Sequence, residues 1–266
     1  MPTEIESTDN SSPDQARDLV GSLIKGLSVM EILAVHPQGM TLTEMAEETG
    51  LTRAGARRFL LTLTASGYAQ QDGRRFTLTP KLISVARSWL GRASLWTYAE
   101  PFMREVSEAL NESCSAAVLA GEDVVYVARV PGRHIVSIAL SVGTRLPAYC
   151  TSMGRVLLSD LDDAELERFL AAAKIEQRTA KTITNRTALA DTIRRAGTQG
   201  YAIVDEELEP GLRSIAVPIR NRKGRIEAAI NVSTQSARLS VAEMRTEILP
   251  HLQTAAVRIE AFFAVG

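Results

Sequence analysis

Two stretches of the 266-residue chain concentrate side chains able to do chemistry. The first runs Thr52-Arg53-Ala54-Gly55-Ala56-Arg57-Arg58. On a helix from Thr52 to about Ala65, Arg53 and Arg57 share one face and Arg58 flanks it. Ala56, Leu60 and Leu63 share another face and are predicted to pack inward. Arginine forks two hydrogen bonds to a guanine, and Ala54 and Gly55 let a helix approach the major-groove floor closely. Thr52 at the cap, with free backbone N–H groups behind it, suits a phosphate. Arg74 and Arg75 follow Asp72-Gly73, a hairpin signal, and are expected at the tip, within reach of phosphates or the minor groove. Residues 51–75 hold five arginines against Asp72 alone, while the whole chain carries 30 Lys+Arg and 31 Asp+Glu for a net charge of -1. The positive charge is therefore focused, as a duplex-binding patch requires.

The second stretch is Tyr149-Cys150-Thr151-Ser152-Met153-Gly154. Thr151 or Ser152 is placed to cap a short helix ending at Leu158, and the open N–H groups of such a start favour a carboxylate. Enzyme signatures are missing: there is no G-x-S-x-G, H-E-x-x-H, G-x-x-x-x-G-K-[ST] or G-x-G-x-x-G, so catalysis is not expected. His36, His134 and His251 are scattered without metal-ligand spacing, and no cofactor is implied. Asp205-Glu206-Glu207 reads as a solvated turn after a strand, with Asp205 alone available to a ligand hydroxyl. Two cysteines, Cys114 and Cys150, exclude a disulfide framework, and buried structural thiols are the simpler reading. No apolar run approaches the ~18 residues of a membrane span, and Met1 to Asp14 is polar and acidic, unlike a signal peptide. The expected setting is a reducing cytoplasm, with no membrane partner.

The elements that must hold these residues can be read from spacing. Residues 1–15 form a polar tail. From Ser22 the positions Leu23, Leu27, Met30 and Leu33 or Ala34 recur at the spacing of one helix face, and Pro37-Gln38-Gly39 ends the helix. Thr41 or Thr43 caps a short helix that Gly50 stops, and the Thr52 helix follows until Ser66-Gly67. Tyr68–Gln70 and Arg75–Leu78 form a hairpin. Helix, short helix, turn, longer helix and hairpin is the order of a winged helix-turn-helix. An adaptor that docks on protein has the same order, but the Arg-rich first turn disfavours it. Thr79-Pro80 opens a linker helix to Leu90, and Gly91 is a candidate boundary. A helix at 95–110 containing Pro101 follows. Strands are expected at 115–119, 124–129, 135–141, 201–204, 212–219 and 225–234, and helices to Leu158 and at about 163–173, 187–198 and 240–264. Hairpin-linked strands with inserted helices imply an antiparallel α+β domain.

Four ordered blocks carry a family likeness: SLIKGLSVMEILA (22–34), LTEMAEETGLTRAGARRFLLTLTASGYAQ (42–70), GTRLPAYCTSMGRVLL (143–158) and GYAIVDEELEPGLRSIAVPIRNRKGRIEAAINVS (200–233). They resemble the IclR family of bacterial transcriptional regulators over nearly all of residues 20–260. Residues 113–149 are most similar to the branch that regulates protocatechuate, 4-hydroxybenzoate and β-ketoadipate catabolism. The resemblance implies a winged helix-turn-helix at 16–79, a linker helix at 80–92 and a GAF-like antiparallel sheet with flanking helices at 93–266. It implies homodimers or dimers of dimers on a double-stranded DNA operator, and a small carboxylate effector in the C-terminal domain. By the same resemblance, Ser152 and Met153 face the effector pocket, joined by Val204 or Asp205 and by Ser214, Asn231 and Ser233. Asn231 and Ser233 share a strand face. Some members carry Gly-Ala where this chain has Ser152-Met153, and Cys where it has Ser214. Arg133 and Arg145 each offer a guanidinium to an acid ligand, with a surface arginine as the alternative reading of both.

Overall fold

The computed structural model describes residues 19–90, 95–132 and 140–265. The chain divides into two compact units, Met1–Gly91 and Arg92–Gly266.

In the first unit, α1 (Gly21–Val35) is followed by β1 (Met40–Thr41), α2 (Leu42–Thr49) and α3 (Arg53–Ala65). A hairpin of β2 (Ala69–Asp72) and β3 (Arg75–Leu78) follows, and then α4 (Lys81–Leu90). Caps set the helix ends. Thr41 and Glu44 close a full capping box on α2, which settles the cap between Thr41 and Thr43, and Gly50 ends the helix in the left-handed region. Thr52 Oγ accepts the Gly55 N–H at 3.1 Å. Gly39 is buried at φ +74, and a Cβ there would lie 2.7 Å from the Phe76 carbonyl oxygen, so the turn into β1 admits only glycine. Two-residue β1 was not expected. It pairs with β3, giving the three-stranded order β1-β3-β2. The hairpin strands meet at Asp72↔Arg75, so its turn is Gly73-Arg74.

The small core comprises Val29, Leu33, Met40, Met45, Ala56, Leu60, Ala69 and Phe76. In α1 the apolar positions divide between the core and the surface. Val29 and Leu33 face the core, whereas Leu23 is 61% and Leu27 46% exposed. The helix carries two apolar stripes, and spacing alone does not tell which one meets α3. The Phe59 ring of α3 packs beside Gly26, 3.5 Å from where a Cβ would be, an ordinary contact distance.

In the second unit, α5 (Leu95–Leu110) precedes β4 (Ser113–Ala120), β5 (Asp123–Val130) and β6 (Arg145–Pro147). Then come α6 (Ser152–Leu158), α7 (Asp163–Ala172), α8 (Arg186–Gln199), β7 (Ala202–Asp205), β8 (Leu212–Arg220) and β9 (Ile226–Gln235). The six strands form one antiparallel sheet in the order β6-β5-β4-β9-β8-β7. The strand expected at 135–141 lies mostly outside the described residues, and short β6, which was not expected, pairs with β5. The last helix is not continuous. Val241–Glu243 (α9) widens into a π segment at Met244–Ile248 before α10 (Leu249–Val265). Pro250 has no N–H to give back along the helix, and a local π register is a known accommodation.

The two sheet faces differ in side-chain size. Ile215, Val217 and Ile219 of β8 and Ala228, Ile230 and Val232 of β9 pack with Met103, Val106, Leu252 and Ile259 of α5 and α10. The opposite face presents Ala117, Ala202, Ala216 and Ala229 to α6, α7 and α8. Small residues there bring α6 close to the sheet and leave space beside it.

Candidate functional site

Arg53, Ala54, Arg57 and Arg58 are all exposed on α3, with Ala56 and Leu60 fully buried on its other side. Leu63, grouped with them by spacing, is only half-buried. Among the described residues, Arg53, Arg57, Arg58 and Arg74 have no ion-pair or side-chain hydrogen-bond partner, which leaves these cations uncommitted. Gly55 and Arg58 also line an apolar groove with Leu23, Leu27 and Met30 of α1 and Leu82 and Val85 of α4. Gly55 thus borders this groove as well as standing in the exposed first turn of α3. Arg75 differs from Arg74. Its Nη1 donates to the Gly39 carbonyl at 2.7 Å and lies 3.6 Å from Glu44. The Thr41 backbone N–H, more than Arg75, holds the Glu44 carboxyl below its usual range. The expectation of two free arginines at the hairpin tip is corrected to one, because the β1–β3 pairing turns Arg75 back onto its own sheet.

In the second unit a narrow cavity lies between the small-residue sheet face and the start of α6, with only about 20 Å³ open to the centre of a water-sized sphere. It is lined by Ser152, Met153, Ser214, Asn231 and Ser233, as expected, together with Tyr126, Arg129, Val204 and Leu208. Register explains the convergence. Ser113 pairs with Ser233, Ser233 with Ser214 and Ser214 with Val204, forming one row across the sheet. The adjacent row is Arg129, Ser115, Asn231 and Ala216. Asn231 Nδ2 donates to Ser233 Oγ at 3.1 Å. Thr151 caps α6 through Gly154, and Ser152 behind it is 1% exposed. Ser152 Oγ has no hydrogen-bond partner, alone in this among the buried side-chain polar atoms of the described residues. Helix α6 is two turns long and its cap already takes one N–H, so its start is a weaker anion site than the sequence implied.

Two expected ligand contacts, Arg145 and Asp205, do not line the cavity. Arg145 sits on β6, held by Asp123 at 3.0 Å and the Ala120 carbonyl at 2.9 Å, and does not line it. Asp205 is displaced by its neighbour. Successive strand residues face opposite ways, so Val204 lines the cavity while Asp205 bonds Arg213 and Lys181. Burial works against the Asp205 charge, but Arg213 and Lys181 outweigh it and hold its carboxyl below the usual range. Arg133 lies outside the described residues.

Arg129 is the residue that spacing did not reveal. Tyr126 and Arg129 are three apart, so a regular strand puts them on opposite faces. A bulge intervenes: Ala117 pairs with Tyr126 and Ala116 with Ala128, leaving Val127 as the extra residue. Both side chains consequently reach the cavity. Arg129 Nη2 donates to Ser113 Oγ at 3.1 Å and Nη1 to Ser115 Oγ at 3.3 Å. The Ser113-x-Ser115 and Asn231-x-Ser233 pairs, polar at period two within otherwise apolar strands, were the available signal. Cys150 also lines the cavity, and burial pushes its thiol up to about 11, which leaves it protonated and inert near neutral pH. Burial likewise pushes the Tyr126 phenol up to about 12, with Arg129 opposing. Among the described residues no group of His, Cys, Asp and Glu can hold a metal, and no helix is long and apolar enough to cross a membrane.

Comparison with known proteins places this arrangement. The IclR helix-turn-helix domain matches residues 22–73, and the C-terminal part of the bacterial transcriptional regulator IclR matches residues 87–261. The chain is 40% identical to the Pca regulon regulatory protein of Pseudomonas putida over 239 residues, covering 90% of this chain and 82% of that one. It is 32% identical to the p-hydroxybenzoate hydroxylase transcriptional activator of Acinetobacter baylyi, covering 93% of each chain. A crystal structure of a transcriptional regulator from Rhodococcus sp. RHA1 superposes with a TM-score of 0.79 at 43% identity, covering 92% of this chain and 99% of that one. These relatives are regulators, not enzymes. Uncommitted cations on a helix-turn-helix, a polar cavity in a separate α+β unit and matches along both units lead to one assignment: the chain belongs to the IclR family of bacterial transcriptional regulators.

Proposed function

We propose that the protein is an effector-responsive regulator of an aromatic-acid or β-ketoadipate catabolic operon, acting in the cytoplasm where the operon lies. Residues 16–79 bind DNA, 80–92 link, and 93–266 sense the effector. Arg53, Ala54 and Arg57 meet base edges in the major groove, with Thr52, Arg58 and Arg74 on phosphates. The effector is an aromatic or dicarboxylic acid bound among Ser152, Met153, Ser214, Asn231 and Ser233. The observation that carries this reading is Ser152 Oγ, buried without a partner at the cavity wall. Leaving such a group unmade costs roughly 1–3 kcal/mol, which a ligand's hydrogen bond relieves. The names of the Pseudomonas and Acinetobacter relatives agree with the pathway.

A second copy completes the DNA-binding form. Leu23 and Leu27 of α1 and Val85 of α4 are exposed and line one apolar groove, and Leu19, Val20, Ile24 and Ile83 are exposed as well, the kind of apolar surface that marks an interaction site. Two copies joined there read a two-fold related operator. Effector binding shifts DNA affinity or promoter output only by favouring one dimer arrangement over another, with α4 as the lever.

The test is binding of the purified protein to its own upstream region and to random duplex at several salt concentrations, with and without 4-hydroxybenzoate or adipate. Preference for the upstream region, and a change in operator affinity or promoter output with one acid, are expected. No sequence preference, or both readouts unchanged by every acid that binds, refutes the proposal.

A further inference from the structure

Arg129 differs from the two buried arginines of the second unit by what it lacks. Arg155, 3% exposed, ion-pairs with Glu207 at 2.6 Å, and Arg213, 8% exposed, pairs with Asp205 at 2.6 Å. A desolvated guanidinium is costly unless an anion neutralises it, and these two follow the rule. Arg129 is half-buried at the cavity, and its described partners are the neutral hydroxyls of Ser113 and Ser115. No carboxylate of the described residues lies within ion-pair distance of it. A guanidinium has five N–H donors, so three remain after those two bonds. The rest of the lining is neutral: Tyr126, Thr151, Ser152, Ser214, Asn231, Ser233 and apolar side chains.

We infer that Arg129 is the carboxylate anchor of the cavity, the residue by which it selects organic acids over neutral molecules of the same shape. The inference rests on the cavity being the effector site. The two serines hold the guanidinium plane against the sheet, so its free donors are preorganised for a carboxylate, the group arginine recognises with two parallel hydrogen bonds. Ser152, across the cavity lining on α6, takes a second polar group of the ligand. The anchor depends on the β5 bulge, since without Val127 as an extra residue the guanidinium leaves this face.

The experiment is isothermal titration of the full-length protein with two acids, 4-hydroxybenzoate and adipate, and their uncharged amides, 4-hydroxybenzamide and adipamide. In the wild type at least one acid binds more tightly than its amide. Arg129→Gln should weaken that acid by about 10- to 100-fold and leave its amide unchanged. Arg129→Lys, which keeps the charge, should bind the acid more tightly than Arg129→Gln does. An acid affinity unmoved by Arg129→Gln, an equal loss for acid and amide, or equal affinities of the Gln and Lys variants overturns the anchor. If the wild type binds neither acid, the effector reading itself falls, a result distinct from acid binding that ignores Arg129.

Discussion

Arg74 and Arg75 are neighbours in sequence, yet the structure gives them different work, and the salt dependence of DNA binding separates them. Arg74 sits in the hairpin turn without a partner, while Arg75 is tied to Gly39 and Glu44. Each phosphate contact on duplex DNA adds about −0.9 to the slope of log K against log salt. If Arg74 of each of two protomers touches a phosphate, Arg74→Ala flattens the slope by about 1.8. Between ~50 and ~200 mM salt, a change of about 0.6 log units, the variant's affinity should fall about 12-fold less than that of the wild type. Arg75→Ala should leave the slope intact and instead lower stability by about 1 kcal/mol, through the lost hydrogen bond to Gly39. The exposed contact to Glu44 adds little in solvent. Fluorescence anisotropy on a labelled upstream duplex, with urea denaturation alongside, measures both quantities. A slope flattened by Arg75→Ala as much as by Arg74→Ala, or unchanged by Arg74→Ala, would refute the reasoning.

Three further outcomes follow from packing and burial. Gly154→Ala places a Cβ 2.0 Å from the Ala148 carbonyl oxygen and 2.4 Å from its Cα, so it should cost roughly 3 kcal/mol or more, whereas Gly197→Ala meets only Ser159 at 3.3 Å and should cost far less; urea midpoints decide. Arg155→Met or Glu207→Gln alone should cost about 3–5 kcal/mol, while Arg155→Met with Glu207→Leu should cost less than either, a comparison calorimetry makes directly. Burial raises the thiols of Cys114 to about 12 and Cys150 to about 11 from an ordinary 9.0. The folded protein keeps protons that the unfolded chain releases, so stability holds below pH 9 and declines as pH rises above it. Melting temperatures of the Cys114→Ala, Cys150→Ala double variant should fall less steeply there, and an equally steep fall counts against the assignment.

Helix ends were the most legible part of this sequence, because capping is local chemistry. Thr52, Thr151 and Gly200 act where their types and positions placed them. The antiparallel α+β character was legible too, from turns between apolar runs. What escaped were choices made by partners distant in sequence. The inward stripe of α1 is set by the core that Val29 and Leu33 join with Met45, Ala56, Leu60 and Phe76. Two-residue β1 and short β6 exist because a neighbouring strand accepts them. In the cavity, Ser152, Met153, Ser214, Asn231 and Ser233 were found, while Asp205 was off by one residue on an alternating strand. Arg145 was claimed by Asp123, a partner that spacing cannot rank against a ligand.

The bulge at Val127 makes the chemical taste of the pocket a matter of reading frame along one strand. Deleting a single codon there would keep every neighbouring residue type yet rotate the guanidinium to the far side of the sheet. With Arg129 as the anchor, that one-residue deletion is expected to erase the preference for an acid over its amide in the same titration.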